Sequence, residues 1–360
     1  MKNVQFNFNK DFLKKRVGLI SQFAGLKRYR LSEGRGDGVD AVDVRTGTGF
    51  DFTVLPGRGM DIAWANYKGT PVSYMSSTGI SAAANYETAG MEWLRNFFAG
   101  LLTTCGLSNV GGPSFDEHSV IGRREYGLHG RITNISATEV CTKEEWKNGK
   151  YVMSVSGKMR ESTLHGENVT LRRTITTVMG ESKINLHDVI ENESNRPHEL
   201  MLLYHMNLGY PVLSEDTRLV LASESVKGAS ELAQSEIKLY DKFAEPEYAY
   251  GERCYFHKLK TNSKGQTKVA VINDKLELAV VFTYYPEQLP EFTEWKMLNE
   301  GEYVLGIEPG KSRPIGHERA KKEGGIQTLA SGERCEVDVT IEIVDGKAKI
   351  NKLEKEIKSF

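Results

Sequence analysis

The feature that most limits how this chain can fold is a succession of short segments in which apolar residues recur at every second position. In VTLRRTITTVMG, residues 169–180, β-branched and apolar side chains alternate with polar ones before a glycine turn. The run HELMLLYHMNLGYPVL, residues 198–213, is almost continuously apolar, which is typical of a strand covered on both faces. TKVAVIND, LELAVVFTYY, EYVLGIEPG and CEVDVTIEIVDG indicate further strands. This pattern predicts a mainly β fold, a large antiparallel β-sandwich or barrel with few short helices.

Helical periodicity is weak and restricted to two segments. Residues 10–31 predict a short helix followed by a strand. In residues 85–107, apolar side chains are spaced for one helical face, although two glycines weaken that prediction. No linker rich in Pro, Gly or Ser divides the chain, so we predict one domain over residues 1–360, with 1–40 and 346–360 peripheral.

The charge balance and the distribution of apolar residues restrict the possible partners. The 47 basic and 48 acidic side chains give a net charge of -1, so the chain has no single-sign field to attract nucleic acid. A small, near-neutral molecule is the expected partner. No stretch approaches the roughly 20 apolar residues of a membrane helix, and the first residues lack the apolar run of a signal peptide. We therefore expect a cytoplasmic protein with no membrane partner.

The cysteines give no indication of a metal centre or a disulfide framework. None of the four forms a C-x-x-C pair, and all lie far apart in the sequence. The sequence therefore predicts neither a bound metal nor another cofactor. The four positions are Cys105, Cys141, Cys254 and Cys335.

Three ionisable residues stand out because each lies within apolar, strand-like sequence. They are His129 in GLHGRI, His205 in LLYHMNLGYP and Glu308 in VLGIEPG. An unpaired charge in a protein interior costs several kcal/mol, so each residue must find a partner, become neutral or face a cavity. A lone histidine of this kind is more often a core imidazole bonded to a carbonyl. If the three side chains converge, however, they provide a carboxylate that can take a proton and an imidazole that can give one.

The order of these motifs resembles that of the aldose 1-epimerases, or galactose mutarotases. LHG at 128–130, a histidine before NLG and a glutamate in GIEPG follow that family's order, and the segments 56–79 and 330–343 are similar to its early and closing strands. The resemblance spans about residues 40–345. It implies a β-sandwich of the galactose mutarotase type, with an open pocket on a curved sheet and no metal in the catalytic step.

The resemblance also implies a role for each of the three residues in the interconversion of the α and β anomers of a free aldose. Glu308 would be the general base that removes the proton of the anomeric hydroxyl, and His205 the general acid that protonates the ring oxygen. His129 would hydrogen-bond the same region of the sugar. Arg131 follows LHG at the position where the family has a second glycine. Met206 follows His205 at the position where the galactose enzymes have a proline or a similar residue. The resemblance therefore leaves the identity of the sugar open.

Five further residues are candidates for binding the sugar. Arg58 and Asp61, three positions apart, either pair with each other or bind sugar hydroxyls. Asn207 is in phase with His205 on the predicted strand and so shares its face. Arg131 is out of phase for a straight strand beside His129, and it enters the site only if a bulge or turn intervenes. Asn109 lies on a glycine-rich loop, where it either closes over the ligand or makes the turn.

Two other functions compete with this hypothesis. A metal-dependent sugar isomerase would need a metal site assembled from distant residues, and no close H-x-H spacing favours one. A carbohydrate-binding protein without catalysis would need no base and acid together, so the presence of all three ionisable residues counts against it. The candidate metal ligands are His118, His129 and His317 with Glu117 or Glu318.

Overall fold

The computed structural model describes residues 6–117 and 122–360, and antiparallel strands dominate its architecture. The prediction of a mainly β fold with few short helices is confirmed. In chain order the strands of the described residues are β1 (Gly25–Arg30), β2 (Asp40–Arg45), β3 (Phe50–Leu55), β4 (Asp61–Tyr67), β5 (Thr70–Pro71), β6 (Thr103–Leu107), β7 (Ser114–Asp116), β8 (Arg124–Tyr126), β9 (Thr138–Lys147), β10 (Lys150–Ser162), β11 (Asn168–Val178), β12 (Lys183–Asn192), β13 (His198–Gly209), β14 (Thr217–Leu221), β15 (Ser223–Gly228), β16 (Arg253–Leu259), β17 (Thr267–Asn273), β18 (Leu278–Tyr284), β19 (Glu291–Asn299), β20 (Glu302–Gly310), β21 (Gln327–Leu329) and β22 (Arg334–Asp345).

Four short α-helices accompany the strands of the described residues. Near the N-terminus a helix followed by a strand confirms the prediction for residues 10–31. No helix among residues 6–117 and 122–360 combines the length and the apolar character needed to cross a membrane. The helices are α1 (Lys10–Lys14), α2 (Glu231–Ser235), α3 (His317–Lys322) and α4 (Lys347–Lys358).

The strands form three large sheets. One has five strands, β1 to β5, in chain order, and another has eight, in the order β14-β17-β18-β22-β12-β11-β10-β9. The third has seven strands, with the order β15-β16-β19-β20-β13-β21 and β6 also paired to β13. Apolar side chains of all three sheets, such as Val42, Ile184 and Leu305, are buried in one core. The predicted alternation is visible in β12, where Ile184, Leu186 and Ile190 are buried.

A buried ionic cluster joins the three sheets inside this core. Arg173 of β11 contacts Asp61 of β4 at 3.0 Å and Asp188 of β12 at 2.7 Å, and the Tyr204 hydroxyl of β13 donates to Asp188 at 2.7 Å. All four side chains are fully buried. Burial would lower the pKa of Arg173, but the two aspartates outweigh burial and raise it. The guanidinium is therefore held charged between the sheets.

The prediction of a helix in residues 85–107 is wrong for most of that segment. Only Glu92–Asn96 forms a short 3₁₀ turn, and Thr103–Leu107 is strand β6. The backbone between them adopts positive φ at Ala99 and Gly100. A Cβ on Gly100 would lie 2.5 Å from the carbonyl oxygen of Ile62. The chain therefore runs so close to β4 that a helix, which carries side chains on every face, would not fit there.

The C-terminal segment is a packed helix on the surface of the eight-stranded sheet. Ile350, Leu353 and Ile357 of α4 are buried and form a cluster with residues of β14, β17 and β18, including Ile272 and Val281. Many of the lysines of α4 are exposed. The charged residues of this segment therefore flank a single apolar stripe that faces the sheet.

We expect Leu353→Ala to lower the free energy of unfolding by about 2–3 kcal/mol, because it removes buried methyl groups from the contact between α4 and the sheet. Lys352→Ala, at an exposed position of the same helix, is the matched control and should change it by less than about 0.5 kcal/mol. Urea unfolding followed by circular dichroism measures both. Equal effects of the two changes would show that the helix does not pack as described.

Candidate active site

His205 and Glu308 lie side by side on neighbouring strands of the seven-stranded sheet. The pairing of β13 with β20 matches Leu203 with Gly310 and Met206 with Ile307, so His205 falls opposite Glu308 on the same face. Nε2 of His205 lies 3.1 Å from Oε1 of Glu308. Only 5% of His205 and 3% of Glu308 remain exposed, so this contact is shielded from solvent.

His129 reaches the same place from a turn. Its φ is +54°, its N–H donates to the carbonyl of Gly111, and its carbonyl accepts from Gly106, so the LHG sequence is fixed by the backbone of β6 and the loop that follows. The Gly111 N–H points to Nδ1 of His129 at 3.4 Å. The centres of the His129 and His205 rings are 5.9 Å apart. The strand-like sequence around His129 is not a strand in the structure, since β8 ends at Tyr126.

Three aromatic residues enclose the two imidazoles. The ring of Trp93 lies 4.8 Å from that of His129, and the rings of Phe97 and Trp295 lie 5.1 and 5.2 Å from that of His205. Trp93 and Phe97 come from the 3₁₀ turn and its end, and Trp295 comes from β19. None of these three residues is among those predicted for the site from the sequence. The concentration of aromatic residues in EWLRNFF is a signal for two of them, but the same spacing also indicates a helix.

Gly306 provides the space in which the Glu308 carboxylate lies. It is two residues before Glu308 on β20 and pairs with Trp295 of β19. A Cβ on Gly306 would lie 2.7 Å from Oε1 of Glu308 and 3.0 Å from Cβ of Trp295. Any side chain at this position would therefore displace the carboxylate from its contact with His205.

Burial shifts all three ionisable groups of the site towards their neutral forms. It raises the pKa of Glu308 well above its usual value, with a smaller contribution from the charge of Glu252. Burial lowers the pKa of His205 to about 3, helped by His129, and lowers the pKa of His129 to about 4. His129 nevertheless retains some exposed surface. Burial therefore favours the protonated carboxyl of Glu308 and the neutral imidazole of His205.

Asn207 supports His205 from the backbone side. Its Nδ2 donates to the carbonyls of Gly100 at 3.1 Å and of His205 at 2.9 Å. Among the described residues, neither Oδ1 of Asn207 nor Nδ1 of His205 has a hydrogen-bond partner, but the Asn207 side chain raises the pKa of His205. Both hydrogen bonds of Nδ2 go to backbone carbonyls, so Asn207 holds the strand in place, and its contact with a sugar stays a prediction.

Arg58 and Asp61 do not pair with each other and do not reach the site. Arg58 is fully buried and donates to the backbone carbonyls of Thr133 at 2.9 Å and Asn96 at 3.0 Å, and also to that of Ser81. Burial lowers its pKa to about 10. Asp61 belongs to the ionic cluster between the sheets. Both charges are thus used to hold loops and sheets together, which corrects the expectation that they bind sugar.

Asn109 and Arg131 also lie apart from the His205–Glu308 pair. Asn109 is buried, donates to the carbonyl of Gly127 at 2.8 Å and accepts from the N–H of His317 at 2.8 Å, so it fixes its loop. Arg131 is exposed and lines another hollow together with Arg160. The turn at His129 sends the Arg131 side chain there. Neither residue supports the expected contact with a sugar at Glu308.

The described residues of the alternative metal site are not brought together. Nε2 of His317 contacts Glu199 at 3.0 Å, Glu117 pairs with Arg123 at 3.1 Å and Glu318 pairs with Lys322 at 2.6 Å. Among residues 6–117 and 122–360, no group of three or more His, Cys, Asp or Glu side chains is arranged to hold a metal ion. His118 lies outside the described residues.

Comparisons with known proteins identify the family and the fold. A model of the family described as "Domain of unknown function (DUF4432)" matches residues 36–343. A provisionally named aldose 1-epimerase from Klebsiella pneumoniae has a similar structure, with a TM-score of 0.87 and 23% sequence identity over 98% of this chain and 90% of that one. No curated protein matches the chain.

Two more distant structures share the architecture. A galactose mutarotase-like protein from Clostridium acetobutylicum has a TM-score of 0.62 at 13% identity, over 90% of this chain and 99% of its own. A galactose 1-epimerase from Lactobacillus acidophilus has a TM-score of 0.58 at 13% identity, over 90% of this chain and 100% of its own. At these identities the similarity is one of fold, and it confirms the predicted β-sandwich of the galactose mutarotase type.

We expect His129 and His205 to stay neutral in the native protein from pH 8 down to about pH 5, because burial lowers both pKa values. Imidazole NMR shifts of the native and the urea-unfolded protein test this, since unfolded imidazoles titrate near about 6.5. The unfolded state takes up these protons first, so the two residues stabilise the fold above about pH 6.5, and that contribution is lost as the pH falls towards 4. Native titration near 6.5 would contradict the buried site.

Proposed function

Because the chain belongs to the family described as a domain of unknown function, DUF4432, and folds as a galactose mutarotase-type sandwich, we propose that it interconverts the α and β anomers of a free aldose. The observation that carries the proposal is the buried contact of 3.1 Å between His205 and Glu308, with His129 beside it. The names of the similar structures, an aldose 1-epimerase and a galactose 1-epimerase, agree with this reaction.

The proposed reaction needs one proton to leave the anomeric hydroxyl and another to reach the ring oxygen. Glu308, as carboxylate, takes the first, and protonated His205 gives the second from Nε2, so the C1–ring oxygen bond breaks and an aldehyde forms. The pair then consists of a neutral acid and a neutral imidazole, which are the forms that burial favours. After rotation about the bond to the aldehyde, both protons return and the ring closes on the other face.

In this mechanism the His205–Glu308 pair carries one proton throughout the cycle. The forms before and after ring opening differ only in which partner carries it, so the site exchanges no proton with solvent during a cycle. A bound sugar would stabilise the charged form, because its anomeric hydroxyl donates to the carboxylate and its ring oxygen accepts from the imidazolium. His129, neutral and adjacent, is placed to hydrogen-bond the same end of the sugar.

The aromatic enclosure fits a sugar for two reasons. Trp295, which is partly exposed, offers a flat apolar face for the C–H groups of a pyranose or furanose ring, beside the buried, mutually stacked rings of Trp93 and Phe97. They also exclude water from the His205–Glu308 contact, which strengthens the electrostatic interactions on which the proton transfers depend. The described residues that surround His205 and Glu308 are imidazoles and aromatic rings and not arginines or lysines, so a free, uncharged aldose is the substrate that we propose.

We expect Glu308→Gln to reduce the catalysed exchange by about 10²–10⁴-fold, because the amide keeps the shape of the side chain but cannot take the proton. Exchange NMR on a panel of hexoses, pentoses and deoxypentoses, corrected for spontaneous mutarotation, measures the rate. Glu300→Gln, at an exposed position, is the matched control and should keep the wild-type rate.

The same panel separates the competing functions. A wild-type rate in Glu308→Gln would remove this carboxylate from the mechanism. Saturable sugar binding without any acceleration of exchange by the wild-type protein would instead indicate a carbohydrate-binding protein. Loss of exchange on addition of EDTA, restored by a divalent metal, would favour the metal-dependent isomerase.

We expect Glu252→Gln to shift the acid limb of the kcat/KM profile to lower pH, by less than about one unit, because it removes a charge that raises the pKa of Glu308. The Trp295 Nε1 donates to Oε2 of Glu252 at 3.1 Å, and a glutamine can still accept that hydrogen bond. Trp295→Phe, which removes the donor but keeps the charge, is the control and should leave the limb in place. A shift in Trp295→Phe but not in Glu252→Gln would contradict the electrostatic explanation.

A further inference from the structure

A hollow of about 700 Å³ lies on the five-stranded sheet, and none of His129, His205 and Glu308 lines it. The antiparallel register brings its polar lining into two rows. One row runs through Lys27, Asp43 and Thr53. The other row crosses the strands from Gly25 through Arg45 and Asp51 to Asn66. The volume is within the range of small-molecule sites, which is about 300–1,000 Å³.

Trp64 supplies a flat apolar surface among these polar groups. It lies on β4, 38% exposed, between the buried residues Ala63 and Ala65. The alternation of the strand therefore directs the indole away from the core and into the hollow. An indole left open in this way has an apolar face for stacking and an N–H for hydrogen bonding.

The charged groups of the hollow balance, and several are held in place. Lys27 and Arg45 carry positive charge, and Asp43 and Asp51 carry the two carboxyl groups. Asp43 accepts hydrogen bonds from the hydroxyls of Tyr29 at 2.9 Å and Thr53 at 2.7 Å. The guanidinium of Arg45 donates to the carbonyl of Ser21 at the rim. Two cations against two carboxyl groups give no preference for an anion or a cation, so the lining suits an uncharged ligand with many hydroxyls.

Planar polar groups beside an aromatic face are what a saccharide requires. A carboxylate, a guanidinium or an amide can bond two neighbouring hydroxyls at once, while the C–H face of the ring packs on an indole. We propose that this hollow is a second binding site, for a short neutral saccharide stacked on Trp64. The site is separate from the proposed active site and does not depend on its activity.

The test is a calorimetric titration of neutral mono-, di- and trisaccharides into the Glu308→Gln protein, in which turnover does not interfere. At least one saccharide should bind, and Trp64→Ala in that background should weaken this binding at least about 10-fold, because stacking is lost. Tyr248→Ala, at an aromatic residue that is 82% exposed and outside the hollow, is the matched control and should leave binding unchanged. Trp64→Ala in the otherwise wild-type protein should keep the rate of anomer exchange.

Three results would overturn the proposal. One is the absence of binding by any saccharide of the panel, and another is binding that His205→Ala abolishes while Trp64→Ala does not. The third is a dimer in light scattering that Trp64→Ala converts to monomer, which would assign the hollow to a second copy of the chain. Asn66→Ala provides a milder second variant should Trp64→Ala prove unstable. The proposed epimerase activity is measured separately, so either proposal can fail alone.

Discussion

The contact between the three sheets is centred on Arg173, whose guanidinium joins Asp61, Asp188 and, through Asp188, the hydroxyl of Tyr204. These four residues belong to all three sheets. Removing one member of a buried ion pair typically costs about 3–5 kcal/mol, because the remaining charge is left without compensation. The cluster therefore fixes how the sheets meet. Because neighbouring residues of a strand face opposite sides, the strand that directs Tyr204 into this cluster presents His205 on its other face.

Burial has the opposite outcome for the ionisable groups of the site on the other face of that strand. In the core cluster the two aspartates hold Arg173 in its charged form, whereas His205 and Glu308 have no fixed counter-ion and burial drives both towards neutrality. A proton moving between them changes no net charge, so the surrounding protein need not reorganise. In the proposed reaction the anomeric hydroxyl and the ring oxygen of the sugar become the polar partners of the two groups. Gly306 leaves room for the carboxylate of Glu308, and Trp295 excludes water from its contact with His205.

The fold could be predicted from the sequence where the pattern is local. Period-two alternation identified the strands, and the order of the LHG, HMNLG and GIEPG motifs singled out the three residues that meet in the structure. Prediction failed where the partner is distant in sequence. Nothing near Asp61 indicates that Arg173 will pair with it, and nothing near Arg58 indicates that three backbone carbonyls will surround it. The aromatic enclosure was missed because a positive φ and a close backbone contact at Gly100 override helical spacing.

A crystal structure of the Glu308→Gln protein with a bound aldose would show whether residue 308 and His205 act on the two oxygens of one sugar. The anomeric hydroxyl should lie within about 3 Å of the residue 308 side chain and the ring oxygen within about 3 Å of Nε2 of His205. The sugar ring should lie among Trp93, Phe97 and Trp295. A sugar bound only elsewhere, with His205 still in contact with residue 308 and the aromatic enclosure closed, would contradict the proposed mechanism.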